Sequence, residues 1–256
     1  MPETELHTIR DVLTELDEII ELTVEDNSPL LIFAFVYRQT TAKIAAGIQN
    51  GRFENAARME DFDVNFAKRY IDAYWQYREG KPVAFSWEIA FQAAEDSNGA
   101  DLIILQHLLL GMNAHINLDL GIAAANSVPG DQINSLKHDF MKVNDLLEEL
   151  IDEMQQRISR VSPLMFLLDW IGQRDDEAII NFSITKARDF AWQLAQRLAH
   201  SDEEEQENVI RRTDEHIAGL AKLIAYPPGF LIPKVLSVIR FFEEKDNSVL
   251  IEKLNS

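Results

Sequence analysis

The sequence has no cysteine. Disulfides, iron–sulfur clusters and thiolate zinc sites are therefore excluded, and any metal would depend on His and carboxylate ligands. Glycine and proline are scarce, 10 and 8 in 256 residues, which suits long helices with few turns better than many short strands. Positive charge is also in short supply: 24 Lys and Arg stand against 43 Asp and Glu, a formal net charge of −19. A surface of that sign repels phosphate backbones and anionic headgroups, so nucleic acid is not expected as a partner. The longest apolar run, LLIFAFVY at 30–37, is far too short to span a membrane. The opening MPETELHTIRDVLTELDEII is acidic and periodic, unlike a secretory signal, and a cytoplasmic protein is expected.

What is present is helical periodicity, nearly end to end. Leu6, Ile9, Leu13, Leu16 and Ile20 repeat at steps of three and four, giving one apolar stripe. The next helix is predicted to open with Ser28 as N-cap and Pro29 at the first helical position, and to close at Asn50-Gly51. Phe62, Phe66, Tyr70, Ala73 and Tyr77 share one side of a third helix, and a shorter helix holds Trp87, which reads as core. ADLIILQHLLLGMNAHINLDLGIAAAN is apolar in nearly every direction and belongs at the centre of a bundle. Further helices are expected around 133–154, from about Asp175 to Ala199, and from about Asp202 to Ala225, the last capped by Ser201 with Glu204. The fold expected is all-α: one domain over residues 1–256, a multi-helix bundle around a buried central helix at about residues 100–125. The apolar segments LMFLLDWIG and PPGFLIP offer a surface for a homo-oligomer, although core is the commoner fate of such runs.

The central helix carries an unusual load of polar side chains. His115 and Asp119 are four apart and lie nearly above one another. They could supply a nitrogen and an oxygen to one zinc, iron or manganese ion, or the Asp could instead orient the imidazole. Asn113 and Asn117 form a second four-spaced pair on a different face, with Gln106 near their angle and His107 between the two stripes. Gly111 would let a neighbouring helix come close. Asp63 and His107 are candidates to complete a metal site or act as general base. Tyr37 and Arg38 end an apolar run, where Arg38 could anchor Asp119 or Asp63, or reach solvent.

LQHLLLGMNAHINLDLG, together with FAFVYRQTTAKI, FDVNFAKRYIDAY and FSWEIAF upstream, resembles a bacterial family defined only as a domain of unknown function. The resemblance covers residues 30–125 best. It implies an all-α fold and no particular activity. A more distant similarity, carried by His115 and Asp119 alone, is to the all-helical zinc-dependent phospholipases C and single-strand nucleases. Those enzymes use additional His residues and a His-x-x-x-Glu pair; His200 and Glu204 have that spacing here, but with Ser201 as N-cap His200 precedes the helix and does not share its face. Two functions are thus expected in competition. One is a metal-assisted hydrolase centred on His115 and Asp119. The other is a non-enzymatic helical protein that binds a small molecule or partner, with residues 113–119 as a buried polar network.

Overall fold

Ten helices make up the structure, a computed structural model that describes residues 6–95, 102–165, 167–168 and 183–256. They are α1 Ile9–Glu25, α2 Leu31–Gln49, α3 Ala56–Arg78, α4 Phe85–Glu95, α5 Ile104–Ser127, α6 Ile133–Val161, α7 Ile184–Ala199, α8 Glu203–Ala225, α9 Leu231–Phe242 and α10 Asn247–Asn255. There is no strand among the described residues. Of the predicted stripe of α1, Leu6, Ile9 and Leu16 are buried while Leu13 and Ile20 are only partly so; the buried face is turned toward Val12 and Ile19 instead. Phe62, Phe66, Tyr70 and Ala73 of α3 are buried as their spacing requires. One hydrophobic core draws residues from all ten helices.

Helix starts depart from the predicted positions in small, explicable ways. Residues 28–30 form a turn before α2, so Ser28 lies outside the helix, while Asn50 and Gly51 (φ 66°) end it as expected. The cap of α8 is Asp202, not Ser201: its carboxylate accepts from Glu205 N–H at 2.9 Å, and an ionised acceptor suits the positive end of the helix. Three buried carboxylates cap helices to which they do not belong. Asp139 of α6 takes Glu54 and Asn55 N–H before α3, Asp214 of α8 takes Phe85 and Ser86 N–H at α4, and Glu243 takes Ile104 N–H at α5. Each ties two distant segments together by satisfying amides that no intrahelical carbonyl reaches.

Helix α5 is the axis of the bundle. Its first half packs on α2, α4 and α8, and its second half on α3 and α7. It is long and apolar enough to cross a membrane, yet 89% of its most apolar window is buried within the protein. Two glycines allow the close approach. A Cβ on Gly111 would stand 2.4 Å from the Phe33 ring, and one on Gly121 would stand 2.9 Å from Ala191 O.

The predicted helix from Asp175 is seen from Ile184; its first residues lie outside the described ones, as does the latter part of LMFLLDWIG. PPGFLIP is only partly core. Ile232 is buried, whereas Phe230 is 75% exposed.

Candidate active site around His115

The central helix changes its winding where its polar residues fall. It is α-helical over Ile104–Ala114, widens to a π-helical turn over His115–Asp119, and resumes α geometry at Leu120, whose N–H bonds back five residues to His115 O. Such single π turns occur frequently at functional sites. Here the turn is the HINLD segment itself.

The two predicted polar stripes do different things. Gln106 amide N–H groups donate to Ile224 O and Ala225 O, and its oxygen takes Ile103 N–H. Asn113 donates to Ile217 O at 3.0 Å and accepts from Asn117 at 3.1 Å. This stripe fastens α5 to α8, and these bonds are all made to protein groups.

His115 and Asp119 face the other way. His115 Nδ1 lies 3.1 Å from Asp119 Oδ2, which also accepts from Trp87 Nε1 at 2.9 Å, while Arg69 Nε donates to Oδ1 at 3.0 Å. Burial pushes the Asp119 carboxyl up. The His115 hydrogen bond, the Arg69 charge and the indole outweigh it and hold the group below the usual carboxylate range. An ionised Asp119 can only accept, so Nδ1 carries the ring hydrogen and Nε2 the lone pair. Burial also draws the imidazole below its ordinary pKa, against the pull of Asp119, so His115 is neutral near pH 7.

The imidazole sits in an aromatic box. Phe66 stacks on it with ring centroids 3.8 Å apart, Tyr37 meets it edge-on at 4.5 Å, and Phe33, Tyr70 and Trp87 close the sides. Its Nε2 is buried without a hydrogen-bond partner among the described residues. The ring lines a half-open cavity of about 800 Å³ bordered by α2, α3, α5, α6, Ser162, Pro163, Met165 and Leu168, and residues from Ser183 to Arg188. The walls are mainly aliphatic and aromatic, with Tyr37, His115 and Arg188 among the polar groups. A cavity of this size is in the range that accepts a small-molecule ligand.

The remaining candidates divide. Tyr37 lines the cavity, and its hydroxyl lacks a partner among the described residues; Thr41 beside it falls outside hydrogen-bond geometry. Burial, then the nearby Asp63, push the phenol well above its ordinary pKa, so it is a neutral donor. Asp63 is buried with Oδ2 unpartnered, and burial, then Glu60, raise its carboxyl to about 7. It acts on Tyr37 but does not line the cavity. Arg38 is not the anchor of Asp119 or Asp63: it forms a two-pronged pair with Asp17 at 2.8 and 3.1 Å, partly in solvent. His107 is buried away from the cavity walls.

Sequence reasoning missed Arg69, the cation on Asp119, and treated Trp87 as core only. Arg69 follows Phe66 by three, on the flank of the aromatic stripe, and that position was the available signal. No three His, Asp or Glu side chains come together as a metal site among the described residues. Asp119 already meets three donors, one of them a guanidinium, so its donor set does not suit a metal. Geometry favours the orienting role for this carboxylate.

Residues 9–227 match the model of the Family of unknown function (DUF5995), and the chain belongs to that family. The matched span runs from α1 through α8 and includes all the residues of the aromatic box and the Asp119 cluster. No curated protein and no solved structure matches the chain.

Proposed function

We propose that this protein binds a predominantly apolar small molecule in the cavity beside His115 and uses the Asp119–His115 pair as a general base. One observation carries the reading: a buried, neutral imidazole, oriented through Nδ1, lines an apolar cavity and holds a buried Nε2 with no partner among the described residues. A buried nitrogen lone pair left unsatisfied costs about 1–3 kcal/mol, a cost recovered when a ligand or water donates to it. A carboxylate that fixes the tautomer and stabilises the imidazolium is the arrangement general-base catalysis requires. Tyr37, held neutral, supplies a hydrogen-bond donor at the same wall.

Where the proton taken by Nε2 comes from water, that water's oxygen bonds to the carbonyl carbon of an ester or amide, the acyl–oxygen or acyl–nitrogen bond breaks, the leaving alcohol or amine takes the proton back from Nε2, and the reaction is a hydrolysis. A zinc, iron or manganese ion would find Asp119 already engaged by His115, Trp87 and Arg69, and the reading dispenses with one. The competing reading, a buried structural network, suits Gln106, Asn113 and Asn117 instead, since protein groups satisfy those side chains.

The test is organic extraction of the purified protein followed by mass spectrometry, beside Met112→Trp, which narrows the cavity at its wall. An apolar molecule carried by the native protein and lost from Met112→Trp supports binding. Turnover of that molecule's esters or amides by the native protein, abolished in His115→Gln, supports the base. A native protein that carries nothing, and whose melting temperature no apolar compound raises, would sink the reading.

A further inference from the structure

The cavity wall has a feature that the Asp119–His115 pair does not use. Arg188 lines the cavity and is only 5% exposed, in a chain with 43 acidic residues. Yet no Asp or Glu is among the described lining residues, and no carboxylate pairs with Arg188 among the described residues. Its neighbour in sequence, Asp189, is exposed. The guanidinium is held by neutral acceptors: Nε donates to Asn144 Oδ1 at 2.5 Å, Nη2 donates to Phe140 O at 2.5 Å, and the plane lies 4.5 Å over the Phe140 ring.

Burying a guanidinium without an anion is unfavourable unless something compensates. Asn144, Phe140 O and the aromatic face fix its orientation, and the exposed Asp189 next to it in sequence acts on its charge without forming an ion pair. A guanidinium has five N–H donors. With one N–H on Nε and one on Nη2 committed, both hydrogens of Nη1 and the second of Nη2 remain. That end-on pair of nitrogens is the geometry that grips a carboxylate in two-point fashion. Burial lowers the Arg188 pKa to about 10, which still leaves the group charged at neutral pH.

We infer that the ligand of this cavity is a long-chain carboxylate, its head paired with Arg188 and its apolar chain lying along the aliphatic wall toward His115. The inference rests on the proposed binding reading and adds the head group. A neutral ligand would leave the buried guanidinium without an anion in contact, and a short anion would leave most of the cavity unfilled. The acidic protein surface would not attract such an anion, so the cavity itself must select it.

The experiment is calorimetric titration of the delipidated full-length protein with hexadecanoic acid, hexadecanol and methyl hexadecanoate at one pH and salt concentration, all below their aggregation limits. The acid is expected to bind at one equivalent and at least about tenfold more tightly than either neutral analogue, the scale of a charge-assisted two-point contact. Arg188→Met is expected to remove the preference for the acid over the alcohol. Arg188→Lys keeps the charge without the fork and retains a reduced preference. Because Arg188 also braces α6, each variant is checked by thermal melting, while the comparison of head groups on the native protein needs no variant. Equal affinity for acid and alcohol would overturn the head-group inference and leave the apolar-ligand reading standing. Binding of none of the three, with Met112→Trp indistinguishable from native protein, would overturn both.

Discussion

Asp119 accepts from His115 Nδ1 at 3.1 Å across one π turn, which leaves Nε2 as the nitrogen without a partner. The relationship fixes the tautomer, and the tautomer is measurable. Nitrogen NMR of the imidazole is expected to show Nδ1 protonated and Nε2 unprotonated near pH 7. In Asp119→Asn the preference should weaken, because an amide can donate to the ring or accept from it. The same change takes the charge from Arg69 and should cost about 1–3 kcal/mol, discounted from a fully buried pair because Arg69 is partly in solvent. A protonated Nε2 in the native protein would remove the proposed base.

How much of this arrangement was legible in the sequence can be seen at His115. The i,i+4 spacing correctly put Asp119 beside it, and the all-apolar surroundings correctly put both at the centre of the bundle. The pieces quoted upstream turn out to supply the box: Phe33 and Tyr37 from α2, Phe66, Arg69 and Tyr70 from α3, Trp87 from α4. What periodicity could not give was the partner of each charge. Arg38 and Arg69 both border apolar stripes, and only the packing of α1 against α2 and of α3 against α5 sends one to Asp17 and the other to Asp119. Arg188 has a signal of its own in the sequence, since Ala191, Trp192 and Ala195 follow it by three, four and seven, which marks a buried position but not the cavity it faces. The π turn was hidden for a different reason, since one extra residue per turn leaves no trace in composition.

Gly111 and Gly219 make a matched pair for testing the close approach at the axis. A Cβ at Gly111 meets the Phe33 ring at 2.4 Å, whereas one at Gly219 meets nothing within 4 Å. Gly111→Ala is expected to destabilise by about 1–3 kcal/mol, the scale of overpacking, and to disturb the ring that borders His115. Gly219→Ala is expected to stabilise by up to about 1 kcal/mol, because it replaces glycine inside an exposed helical stretch. Chemical denaturation of both variants measures the difference. Equal and small effects would show that α2 and α5 are not in such close contact.

Asp63 makes stability depend on pH in a direction unusual for a carboxylate. Its pKa rises from 3.8 to about 7 in the folded protein, so between those values the native state binds more protons than the unfolded state. Stability from this group is present below the unfolded pKa and is lost as pH climbs through about 7. His115 acts oppositely, because its folded pKa is lowered: its contribution is lost as pH falls below the ordinary 6.5. His200, whose pKa its bonds to Gln196 O and Asp131 raise, also titrates above 6.5, so the comparison with Asp63→Asn is what isolates Asp63. Between pH 6.5 and 8 the native protein should lose on the order of 1 kcal/mol that Asp63→Asn does not lose. Melting of both proteins across that range measures it, and parallel curves would place Asp63 in a more solvated setting than its burial implies.

A metal remains simple to test directly. Elemental analysis of untagged protein prepared without chelators is expected to find no stoichiometric zinc, iron or manganese, in native protein and in His115→Ala/Asp119→Ala alike. The double variant should be less stable, since it strips Arg69 and Trp87 of their acceptor. A full equivalent of metal that the double variant loses would mean that Asp119 trades Arg69 for an ion, and would restore the metal-assisted hydrolase.

The two polar stripes of α5 should come apart under mutation, and this separates structure from function most sharply. Asn113 is buried and joins Ile217 O to Asn117, so Asn113→Ala leaves a buried carbonyl and a buried amide unsatisfied. That should cost about 1–3 kcal/mol for each group stranded. Because the contact lies between α5 and α8, and α8 contributes nothing to the cavity walls, ligand affinity should be unchanged once the protein is folded. His115→Gln should do the reverse. It removes no hydrogen bond that Asp119 depends on for Arg69 or Trp87, so the stability change should be smaller, while the proton acceptor in the cavity is lost. Denaturation and ligand titration on the two variants give four numbers. If Asn113→Ala weakened binding as much as His115→Gln, the stripes would act as one network, and residues 113–119 would have to be read as a single structural clamp.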